Sequence, residues 1–139
     1  MENLKQKLEK YLGKPTEDAF KELEKIPFAL EVMAMKKKHK YFQPRHWIEL
    51  YTNSFDSCLG LDDQNWLREL ALDEMRDLKL SIQKWTDLIK NPRCMDSMKK
   101  VIREQVEKLE MTFEEWQEVF EGEGPFCQIA GRKMFEALK

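Results

Sequence analysis

Apolar residues in this chain recur at steps of three and four, and no segment alternates with a period of two. The longest such series is Leu67, Leu70, Ala71, Met75, Leu78, Ile82, Trp85 and Ile89. Side chains at that spacing share one stripe of a helix, so the pattern predicts an all-α fold. Asp62 is placed to cap a helix start, and Asn91-Pro92 to stop one, because proline disfavours the α region for the residue before it. The series therefore predicts one long helix over about residues 63–90, roughly 40 Å from end to end. Trp66, Leu72, Leu80 and Leu88 lie off the main stripe. A helix apolar on more than one side is normally covered all round, so it is expected at the centre of the fold.

Breakers divide the rest. Gly13 and Lys14-Pro15 close a first helix over residues 2–12, and Thr16 caps a second. Pro27 opens a third, running to about Tyr41 with Phe28, Ala29, Val32 and Met35 inward. Pro44 opens a fourth, with Trp47, Ile48, Tyr51, Phe55, Cys58 and Leu59 as its stripe and Gly60 at its end. Pro92 opens a helix holding Met95, Met98, Ile102, Val106 and Leu109. Thr112-Phe113-Glu114-Glu115 is a capping box, with a helix of Phe113, Trp116, Val119 and Phe120 behind it. After Gly122-Glu123-Gly124-Pro125 a last helix carries Phe126, Ile129, Ala130, Met134 and Leu138. The expectation is an irregular bundle of seven or eight helices around the long central one.

The chain has 139 residues, the size of a single domain over 1–139. Such a chain buries about 70% of its unfolded surface. Eight Phe, four Trp and eight Met supply the core, and a net charge of only −2 argues against disorder. The methionines fit gaps in apolar stripes. Cys58, Cys94 and Cys127 are odd in number and widely spaced, with no Cys-x-x-Cys pair, so reduced thiols in a cytoplasmic protein are expected. Met1–Lys5 has no apolar leader pattern, and no apolar run approaches the ~20 residues of a membrane span.

Two charged stretches stand out. Between Glu31 and Glu49 the chain has no acidic residue, but it has Lys36, Lys37, Lys38, Lys40, Arg45 and His46, interleaved with Tyr41, Phe42 and Trp47. Cations neutralise phosphates and aromatics stack on bases, so this stretch is a candidate nucleic-acid or anionic-partner surface. Cations past a helix C-terminus are also favoured by the helix dipole alone. From Glu104 to Glu123 there are eight Glu and one Lys. Glu114 suits a helix start, but Glu118, Glu121 and Glu123 lie toward a helix end, where anions are disfavoured. These four make a candidate acidic face for a protein partner.

Catalytic signatures are few. Glu74 and Asp77 are spaced one helical turn apart, as a magnesium-dependent helical nucleotide phosphohydrolase would need, but no second carboxylate pair precedes them. The two histidines, His39 and His46, do not follow a Glu at the Glu-x-x-His spacing of di-iron bundles. No Gly-x-Ser-x-Gly elbow or phosphate-cradling glycine loop occurs. No catalytic residue, metal ligand or cofactor is therefore assigned. The sequence reads as a small cytoplasmic interaction or regulatory protein, such as an inhibitor carried by a mobile element. It would bind another protein first, nucleic acid second, with a homodimer as a further form of partner; a magnesium-dependent nucleotide phosphohydrolase centred on Glu74 and Asp77 is the third reading.

Overall fold

The computed structural model describes residues 3–56 and 58–139, and among them the secondary structure is α-helix with intervening turns and no strand. Nine helices follow in order: α1 (Leu4–Gly13), α2 (Glu17–Leu23), α3 (Ala29–Met35), α4 (Pro44–Asn53), α5 (Leu61–Arg76), α6 (Ile82–Ile89), α7 (Asp96–Glu107), α8 (Phe113–Glu121) and α9 (Cys127–Ala137). No helix is long and apolar enough to cross a membrane among the described residues. The chain gathers into two compact units, the first ending at Asp73 and the second beginning at Glu74.

The expected helix over 63–90 is two helices. α5 stops at Arg76 and α6 starts at Ile82. Neither Gly nor Pro lies between them. The last turn of α5 tightens instead, with Asp77 N–H donating to Glu74 O (3.3 Å) and Leu78 N–H to Met75 O (3.4 Å). Ser81 is extended, and its hydroxyl accepts the Lys84 amide (3.3 Å), capping α6. Local capping thus overrides a periodicity that continues unbroken across the gap.

In the first unit, α1 packs on α2 and α3, and α3 on α4. Each start has a local cause. Asn3 and Gln6 form a reciprocal capping box at α1, with both bonds near 3 Å. Thr16 Oγ1 accepts the Ala19 amide at α2. Pro44 occupies the first turn of α4. Tyr11, Leu23, Ala29, Met33, Ala34, Ile48 and Leu50 are fully or almost fully buried. Each large aliphatic side chain among them stabilises the fold by about 1.5–3 kcal/mol.

Two sequence expectations shift here. Helix α3 ends at Met35, not near Tyr41, and its buried residues are Ala29, Leu30, Glu31, Met33 and Ala34. Phe28 was expected inside but is 43% exposed. It occupies the third position of a turn closed by Ala29 N–H to Ile26 O (3.2 Å), with φ of 74°. Pro27 fits the second position of such a type II turn, and the third needs positive φ. The helix therefore starts at Ala29, two residues later than Pro27, and buries a different face. Helix α4 likewise ends at Asn53, leaving Phe55 and Cys58 exposed beyond it.

In the second unit, α6 packs on α7 and α8 on α9. Trp85, Met98, Ile102, Val106, Trp116, Phe126 and Ala130 are among its buried side chains. The Thr112–Glu115 capping box forms as the sequence indicates, with Glu115 Oε1 accepting the Thr112 amide (2.9 Å) and Thr112 Oγ1 the Glu115 amide (3.2 Å). On α8 only Trp116 is buried, while Phe113 and Phe120 stay exposed. Phe120 lies over Gly131 of α9, where a β-carbon would come within 3.3 Å of its ring.

Candidate functional site

The basic stretch folds as a turn followed by a helix start. Lys37 takes φ of 59°. Its amide donates to Ala34 O (3.0 Å) and the Lys38 amide to Met33 O (2.9 Å). This is a Schellman stop to α3, with lysine where glycine is usual. The Lys38 carbonyl then accepts the Tyr11 hydroxyl (2.5 Å), which ties the turn to α1. Lys36, Lys37, Lys38 and Lys40 are all exposed, and Lys40 lies over the Tyr41 ring.

Arg45 and His46 are committed elsewhere. The Arg45 guanidinium pairs with Glu24 (3.3 Å). His46 is fully buried, so it does not join the exposed cations. Its Nδ1 accepts the Gln43 amide (2.8 Å), which assigns the proton to Nε2, and Nε2 donates to Glu24 Oε2 (2.9 Å). Burial holds this imidazole below the usual histidine value, and the bond to Glu24 opposes that only in part. The aromatics are committed too. Trp47 is 3% exposed, with Phe42 at 4.7 Å and His39 at 5.1 Å between ring centres. Phe20 stands edge-on to His46 at 5.1 Å. These rings pack against one another in tilted and edge-on contacts, with Phe20, His46 and Trp47 buried and His39, Tyr41 and Phe42 half-buried. Among the described residues, the unpaired cations left at the surface of this stretch are the four lysines.

The acidic residues lie on and just past α8. Glu114, Glu118 and Glu121 are spaced four and three apart, which places them on one stripe, and all are exposed. Gln117 Nε2 donates to Glu121 Oε1 (3.0 Å). Glu123 follows the helix with φ of 52° and is exposed as well. Phe113 and Phe120, seven residues apart, form an exposed apolar stripe beside the acidic one.

Glu74 lies in the last turn of α5, and Asp77 just beyond its end. Among the described residues no three His, Cys, Asp or Glu side chains converge as a metal site. Cys94 is buried, which pushes its thiol up to about 11, while Cys58 is exposed.

Three features had no sequence reading. Glu31 is 97% buried, and burial raises its carboxyl above the usual range. Arg68 stacks on Phe55, 3.9 Å from the ring centre, and its Nε donates to buried Ser54 Oγ (2.9 Å). A groove of about 370 Å³ runs between α6 and α8. None of these leaves a motif, because each depends on residues far apart in the chain coming together. Comparison of the chain with protein-family models, with curated proteins and with solved structures gives no match.

Proposed function

We propose that this protein works by binding another protein, in the cytoplasm, through the exposed face of α8. The observation that carries this reading is the pairing of two stripes on one helix. Glu114, Glu118 and Glu121 lie beside Phe113 and Phe120, all open to solvent. Exposed aromatic area next to like charge gives a partner both apolar contact and an orienting field. The matching partner surface is basic with an apolar centre. Reversing Glu114, Glu118 and Glu121 together to Lys should abolish co-purification of a stoichiometric partner from lysate, with the melting temperature unchanged. A partner retained by the triple variant would remove the α8 face from consideration.

Nucleic-acid binding is the second reading, supported by Lys36, Lys37, Lys38 and Lys40 on one turn. With Trp47 buried and Tyr41 and Phe42 half-buried, phosphate contacts would dominate, so binding would fall steeply with salt. A nuclease arm in the same co-purification separates the two readings.

A further inference from the structure

We infer that the groove between α6 and α8 receives a cationic amphipathic segment of the partner, a proposal that rests on the protein-binding reading above. One wall is α6, where Ile82, Thr86 and Lys90 lie one turn apart in succession. The other is α8, through Glu118 and Val119, with Phe126 beneath. The volume of about 370 Å³ lies at the low end of ligand sites, roughly 300–1,000 Å³, enough for one or two large side chains.

The occupant's charge follows from the walls. Glu115 also lines the groove, but its carboxylate is held by the Thr112 amide. Glu118 has no side-chain partner among the described residues, and it is not paired with Lys90 across the groove. A free carboxylate over an apolar floor suits a Lys or Arg beside an apolar residue.

The occupant's length follows from α8. The acidic stripe continues beyond the groove from Glu114 to Glu121, seven residues or about 10 Å along the axis. A small molecule filling the groove reaches only Glu118. A peptide helix lying along it, with an apolar anchor inserted and cations three or four residues away, engages the stripe as well.

The test is selection of random 16-residue peptides displayed on phage against the full chain, followed by fluorescence polarisation of the recovered peptides. Recovered sequences should carry Lys or Arg three or four positions from Leu, Met or Phe. Their affinity should drop at least tenfold with Glu118→Lys and at least tenfold with Thr86→Arg on the opposite wall. Gln83→Trp, an exposed groove position, reads the same wall should Thr86→Arg unfold the protein. Peptides weakened by Glu118→Lys but untouched by both α6 variants would overturn the groove and leave the α8 face standing. Failure to enrich cationic amphipathic peptides would overturn the groove proposal, while the triple α8 variant judges the wider reading independently.

Discussion

His46 donates to Glu24 across 2.9 Å from a position with no solvent exposure, while its second ring nitrogen accepts a backbone amide. The ring is therefore required neutral, since protonating Nδ1 would destroy the Gln43 bond. Its folded value lies below the unfolded one near 6.5. The unfolded chain then binds more protons as pH falls, so this stability is complete above about 6.5 and is lost below it. Melting temperature should fall as pH drops from 7 to 5. His46→Ala should cost about 2–4 kcal/mol at pH 7 and flatten that dependence. An unchanged slope in the variant would rule out His46 as its source.

Glu31 acts in the opposite sense. Burial raises its carboxyl above 4.5, so the charged form is penalised in the folded protein. Stability from this group is greatest below 4.5 and is lost as pH rises through the raised value. Glu31→Gln should melt higher than the native protein at pH 7, with the gap closing as pH approaches 4.5. Thermal melts at both pH values decide it, and a variant that melts lower at pH 7 would count against this account.

Lys37 holds a left-handed conformation that costs an L-residue about 1–2 kcal/mol. Lys37→Gly should therefore raise stability by about 0.5–1 kcal/mol despite removing a cation. Gly13 is the converse case. It ends α1 in a conformation open to any residue, with empty space around a β-carbon. Gly13→Ala should stabilise by a similar amount, about 0.5–1 kcal/mol. Denaturant midpoints of the two variants check both signs.

The three thiols should separate by rate. Exposed Cys58 should react first with a disulfide reagent at pH 8. Cys127, half-buried with its Sγ toward the Phe120 carbonyl (3.5 Å), should follow. Cys94, buried and pushed up to about 11, should react only on unfolding. Mass spectrometry over a time course gives the order, and early labelling of Cys94 would contradict the fold around it.

Most helices were legible because their punctuation is local. Thr16, Pro44 and the Thr112–Glu115 box act within one turn and need no tertiary information. The helix break before Ser81 was not legible, because a serine cap competes with a stripe that runs straight through it. Burial was harder still. The interior position of His46 follows from Glu24, which lies 22 residues away. Its bond to Gln43 had a local trace, a side chain three residues after a helix cap. At α8 the acidic stripe was readable from spacing. The exposure of Phe113 and Phe120 was not, since an apolar stripe reads as core until its neighbours are known.

The interval from Asp77 to Ser81 has a practical consequence. It contains neither glycine nor proline, its closing bonds are long, and exposed Lys79 stands at its middle. A protease needs several residues that unwind without dismantling a core, so limited trypsin digestion should cut here first. Cleavage after Lys79 would release residues 1–79 and 80–139, close to the boundary between the two compact units. The two products of such a cut would be the natural material for asking which unit folds alone.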